Sequence, residues 1–145
     1  MRLDTPTRRE ILAGAAAVTG MILAGCENDT TKDSESSGVT FDLDDYPALQ
    51  QEGGVAKITN PELNDGRPLV VLRRGLDVFS AYSAICTHAG CEVDLPESAS
   101  SDIPCPCHQS VFSPGDGSVK SGPAQAPLPT FSVKYEPKNG SFTIS

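Results

Sequence analysis

Cys86-Thr87-His88-Ala89-Gly90-Cys91 and Cys105-Pro106-Cys107-His108-Gln109-Ser110 are the two stretches on which the reading of this chain turns. Each supplies one cysteine and one histidine at metal-ligand spacing, and each holds a second, spare cysteine. Sixteen residues separate His88 from Cys105, so the pattern is Cys-x-His, an interval, then Cys-x-x-His. The chain has five cysteines and two histidines, and four of those cysteines and both histidines fall between Cys86 and His108. A soft thiolate and an imidazole on each of two loops can pinch a metal group between the loop tips. Tetrahedral zinc uses the same donors, but gives no role to the spare cysteines, Pro106 or Ser110. A plain disulfide scaffold pairs four cysteines in one of three ways and leaves both histidines unexplained.

Around the boxes the pattern is one of strands and turns. Val55-Ala56-Lys57-Ile58 and Leu69-Val70-Val71-Leu72 are short and rich in β-branched residues. Arg73-Arg74-Gly75 is expected to turn the chain into a strand over Leu76–Tyr82, giving a hairpin. Phe131-Ser132-Val133-Lys134-Tyr135 alternates as one strand, Pro137-Lys138-Asn139-Gly140 turns, and Phe142-Thr143-Ile144 closes the chain. Asp44 to Gln51 could form one helical turn, and no amphipathic helix is expected after residue 26. With 13 glycines, 12 prolines and no tryptophan, the expected class is all-β, a small antiparallel sandwich or barrel. Tyr82 and Phe112 are expected in its core.

The N-terminus carries an address. Arg8 and Arg9 directly precede an apolar run from Ile11 to Ala24, rich in small residues. A basic start, an apolar middle and a small-residue end make an export signal, and the paired arginines resemble the twin-arginine type. The run has 14 residues, against about 20 for a bilayer-spanning helix. Leu23-Ala24-Gly25-Cys26 resembles the lipobox of bacterial lipoproteins, which implies cleavage before Cys26 and lipid attachment to its sulfur. Residues 27–40 contain one apolar residue and cannot build a core. The expected organisation is therefore a signal peptide over 1–25, an acidic tether over 26–40 and one domain over 41–145. Fully extended, such a tether reaches at most about 50 Å.

Formal net charge is −8, which disfavours binding to nucleic acid. Eight acids lie between Glu27 and Glu52, four of them in the expected tether, so part of the charge sits beside the domain rather than on it.

The two boxes, continued through Gly122-Pro123-Ala124, resemble those of the Rieske iron-sulfur proteins over about residues 41–145. The resemblance implies a small antiparallel β fold of the Rieske type with a two-loop cluster-binding subdomain. It also implies one 2Fe-2S cluster, with Cys86 and Cys105 on one iron and His88 and His108 on the other. Cys91 and Cys107 would form a disulfide joining the loops, and Gly122 and Pro123 would belong to the family's proline-bearing loop. Replacing two thiolates by neutral imidazoles removes negative charge from the site. Rieske potentials accordingly run from about −150 to +300 mV, against roughly −400 mV for plant-type ferredoxins. The spare cysteine pair points to the respiratory branch. Ser110 sits where that branch places a hydroxyl donor to cluster sulfur, whereas Phe112 stands where it has a tyrosine. One donor is lost, and the expected potential is below that of the quinol-oxidising proteins. Ala89, in place of the usual leucine, gives a smaller rim beside the histidines.

The function expected from this resemblance is electron transfer by an exported protein, lipid-anchored at the extracytoplasmic face of a membrane. It would be a carrier or an electron-transfer subunit of a membrane-associated oxidoreductase. The redox partner would be a cytochrome or an oxidoreductase subunit. A quinol-oxidising cytochrome complex, with quinol as a further partner, and an arsenite-oxidase-like molybdenum enzyme are the two settings. A zinc-stabilised binding module is the remote alternative. A mononuclear-iron oxygenase would need more histidines than the chain has, so no substrate-turnover site is expected.

Overall fold

The structure is a computed structural model that describes residues 37–145. Arg8, Arg9, Cys26 and the expected signal and most of the tether lie outside the described residues. Among the described residues no helix is long and apolar enough to cross a membrane. The chain runs through β1 (Val39–Asp42), β2 (Val55–Ile58), β3 (Leu69–Arg73), β4 (Phe79–Ser83) and β5 (Ile103–Pro104). It continues through β6 (Val111–Phe112), β7 (Val119–Ser121), β8 (Thr130–Phe131), β9 (Val133–Glu136) and β10 (Ser141–Ile144). Three short 3-10 turns, Leu43–Asp45, Pro47–Gln50 and Asn64–Gly66, are the helical content of the described residues. The all-β expectation is met, and Asp44–Gln51 forms two such turns instead of one.

The strands form three antiparallel sheets, ordered β1-β10-β9, β2-β3-β4-β8 and β5-β6-β7. The β3–β4 hairpin is the wall between two cores. Leu69 and Val71 of β3 pack with Phe142 and Ile144, while Val70 and Leu72 face Tyr82, Phe112 and Leu128. All five β3 residues are buried. A strand buried on both faces reads as a continuous apolar run rather than an alternating one, which is how Leu69-Val70-Val71-Leu72 reads. Tyr82 and Phe112 lie in the core as expected, the Tyr82 hydroxyl donating to Pro114 O at 3.0 Å.

Three boundaries differ from the sequence reading. Val39 and Thr40, assigned to the tether, belong to β1 and pair with Ile144 and Thr143; the two threonine hydroxyls are 2.9 Å apart. Their partners lie about a hundred residues away, so local composition carries no trace of the pairing. Leu76, Asp77 and Val78, assigned to a strand, form the hairpin turn instead, closed by Arg74 N–H donating to Val78 O at 2.7 Å. Leu76 and Val78 are 70% and 55% exposed. The segment expected as one strand over Phe131–Tyr135 is broken at Ser132: Phe131 pairs with Ala81 of β4, and Val133 with Ile144 of β10. The chain changes sheets there, and alternation continues across the break because both sheets bury every second residue.

Arg73 is buried at the end of β3, with no carboxylate partner among the described residues. Its guanidinium donates to the carbonyls of Leu49 (3.0 Å), Gln50 (2.8 Å), Gly75 (3.3 Å) and Leu76 (2.7 Å). It also lies over the rings of Phe79 and Tyr135, 5.4 and 5.6 Å from their centroids. One side chain thus fastens the Pro47–Gln50 turn and the hairpin turn to the wall. On the surface, the Asp116 carboxylate accepts from the Ser118 hydroxyl and backbone N–H, and these bonds hold it below its usual value.

Candidate metal centre

Both boxes are tips of hairpins. The first grows from β4: Val93 N–H donates to Ala84 O, and Ile85 bridges Glu92. The second is the β5–β6 connection. Asp94 N–H donates to Pro104 O at 2.9 Å and sets the two stems side by side. Within each tip the same two backbone bonds recur. Cys86 N–H donates to Cys91 O and Gly90 N–H to Cys86 O; Cys105 N–H donates to Ser110 O and Gln109 N–H to Cys105 O. Gly90 and Gln109 occupy equivalent places, and both have positive φ, 74° and 61°. The left-handed region suits glycine and costs a side-chain-bearing residue about 1 kcal/mol or more. Gln109 pays that cost, a feature the sequence reading did not identify and that loop-to-loop comparison with Gly90 would have suggested.

The geometry brings the four donors together in two pairs. Cys86 and Cys105 are 3% and 2% exposed, free of disulfides, and lie in one buried cluster. Burial pushes the Cys105 thiol up, and the neighbouring Cys86 thiol adds to this. Backbone N–H groups of Cys107 and His108 aimed at its sulfur pull the other way. Outside the thiols lie the two imidazoles, both exposed, with ring centroids 4.7 Å apart and planes at 83°. Cys91 and Cys107 form the disulfide that joins the loops. Among the described residues no three or more His, Cys, Asp or Glu side chains close around a single ion position.

A third loop, following β7, covers the pair of tips. Ser110, wholly buried, accepts Ala124 N–H on its Oγ at 3.1 Å, a bond that leaves its own O–H to donate. Thr87 Oγ1 donates to Ala126 O at 2.6 Å. Gly122 has φ +92°, and a Cβ there would lie 2.4 Å from Ser110 Cα and 2.7 Å from Gln109 O. Only glycine allows the third loop this close to the second. Gly122→Ala combines left-handed strain with backbone overlap, so about 2 kcal/mol or more of stability should be lost. A thermal melt checks this. An unchanged midpoint would mean that the loop is not held against Ser110.

Two buried free thiols behind two adjacent imidazoles, one of each from each tip, fit a two-iron, two-sulfur cluster with unequal ligation of its irons. The disulfide lies beside this donor set and takes none of it. A small all-β protein whose paired hairpin tips present sulfur within and nitrogen without defines a class of iron-sulfur domain. Residues 51–132 match the Rieske [2Fe-2S] domain, and the chain belongs to that family.

Relatives include the cytochrome b6-f complex iron-sulfur subunit of Chlorobaculum tepidum. It is 39% identical over 99 residues, which cover 68% of this chain and 50% of that protein. The putative respiratory nitrate reductase subunit Rieske of Haloferax mediterranei is 43% identical over 56 residues, 38% of this chain and 24% of that one. Among solved structures, the plasma membrane Rieske protein PetC3 of Synechocystis PCC 6803 superposes with TM-score 0.52 at 29% identity, covering 63% of this chain and 85% of that one. The chain spans half or less of the length of the curated relatives named here.

Proposed function

We propose that this chain transfers single electrons, with Cys86 and Cys105 holding one iron of a 2Fe-2S cluster and His88 and His108 the other. The observation that carries this is a pair of free thiols buried in one cluster behind a pair of exposed, adjacent imidazoles. When bound, such a cluster supplies a site that takes up and releases one electron. The chain's own residues do the rest. His88 and His108, both exposed, would give the site less negative charge than two further thiolates and present the edge on which a partner can dock. The Cys91–Cys107 bridge fixes the separation of the tips, while Ser110 and Thr87 hold the third loop across them. Ser110 retains a hydroxyl proton to donate toward a ligand or cluster sulfur. Phe112 is buried and offers no second donor, which favours a potential below that of quinol-oxidising relatives.

The test is electron paramagnetic resonance of the dithionite-reduced protein. The average g value should fall well below that of a cluster with four cysteine ligands. A spectrum of the four-cysteine type would remove both histidines from the ligand set.

The setting we favour is an electron-transfer subunit or carrier in a membrane-associated oxidoreductase. Relatives named as subunits of cytochrome complexes and of a nitrate reductase support it. The small Ala89 rim disfavours a quinol pocket. Export through Arg8 and Arg9, and lipid attachment at Cys26 ahead of an acidic tether, complete the reading. Cys26→Ala should move the protein from the membrane fraction to the soluble fraction. Retention in the membrane would point to another anchor.

A further inference from the structure

Cys86 and Cys105 come from different hairpin tips, yet both lie buried in one core cluster, and neither is in a disulfide. Beside them Cys91 and Cys107, from the same two tips, are already bridged. That bridge has met most of the entropic cost of bringing the tips together, so little remains for a second link between them. We propose that, in the chain without its cluster, Cys86 and Cys105 form a second inter-loop disulfide that seals the ligand site. Loading must then precede contact with a disulfide oxidant. The inference rests on the ligand assignment above and adds an order of events to it.

The chemistry balances with a small disulfide such as oxidised glutathione. The thiolate of one cysteine attacks a glutathione sulfur, forms a mixed disulfide and releases one glutathione thiol. The thiolate of the other attacks the protein sulfur of that mixed disulfide, forms the Cys86–Cys105 bond and releases the second glutathione. The two cysteines lose two electrons and two protons; one glutathione disulfide gains them as two thiols. Because both sulfurs are buried, the first step waits on opening of the tips, and the reaction belongs to the scale of minutes to hours. Iron bound to the same sulfurs blocks both steps, since each needs a free thiolate.

The experiment uses the full chain from iron-starved cells, isolated anaerobically with Cys91–Cys107 intact. It is incubated with oxidised glutathione, blocked with iodoacetamide and mapped by peptide mass spectrometry, Cys26 being scored separately. The expected result is a linked Cys86–Cys105 peptide and loss of both alkylated sites. Uptake of iron and sulfide should then be almost wholly lost until a dithiol reductant is added. In Cys86→Ser, Cys105 should end as a glutathione adduct with no linked partner. Recovery of Cys86 and Cys105 alkylated, as two separate glutathione adducts, or linked to Cys91 or Cys107, would overturn the proposal. An iron-replete preparation treated in parallel separates the two readings. Absence of iron there overturns the ligand assignment, whereas free thiols in the iron-starved chain overturn only the sealing.

Discussion

A Cys105→Ser variant is expected to be colourless, with iron and acid-labile sulfide falling from about two of each per chain to near zero. The thiolate is the ligand, and a serine hydroxyl does not ionise at neutral pH to replace it. The fold should survive. Serine is close to cysteine in size, and the backbone N–H groups of Cys107 and His108 that point at the Cys105 sulfur would find an oxygen acceptor instead. The Cys91–Cys107 bridge still ties the tips, and Ser110 still anchors the third loop. Iron and sulfide analysis beside far-ultraviolet circular dichroism therefore separates ligation from folding. Full iron content in the variant would take Cys105 out of the ligand set.

Arg73→Met should be the most damaging substitution far from the metal centre. Methionine fills much of the volume and keeps contact with Phe79 and Tyr135, but it donates nothing to the carbonyls of Leu49, Gln50, Gly75 and Leu76. A buried acceptor left unpaired costs about 1–3 kcal/mol. The Leu49 carbonyl is bonded in a buried setting and the other three in partly buried ones, so about 3 kcal/mol is expected in all. The melting midpoint should fall by roughly 10–20 °C. Arg73→Lys keeps the charge but not the planar fork and should recover only part of the loss. A midpoint within about 3 °C of the parent for Arg73→Met would show that water replaces the guanidinium without cost, contrary to the penalty for buried unpaired carbonyls.

What could be read in advance was local. β2, β3 and the closing strand announce themselves in runs of three or four residues, and the donor set lies in two hexapeptides, so neither needed knowledge of distant partners. What could not be read depends on contacts across the chain. Leu76 and Val78 alternate with polar neighbours as a strand would. The Arg73 guanidinium, however, grips the carbonyls of Gly75 and Leu76 and bends them into a turn. Val39 became a strand residue because Ile144 lies beside it. At the metal centre, Gly122 and Ser110 were legible as positions, but not their approach. The bond from Thr87 to Ala126, and the left-handed Gln109, had no signature within a single window.

The double-sided burial of β3 has a mechanical consequence. A sheet strand with one face in each core couples the two halves of the molecule through side chains packed on both sides of one main chain, which its in-sheet hydrogen bonds to β2 and β4 hold extended. The β4 end of that same ribbon leads straight into Cys86 and His88. The direction in which the imidazoles face is therefore set by a ribbon packed against the terminal strands β1 and β10. Whatever approaches the histidine edge meets a stiff arm of fixed bearing.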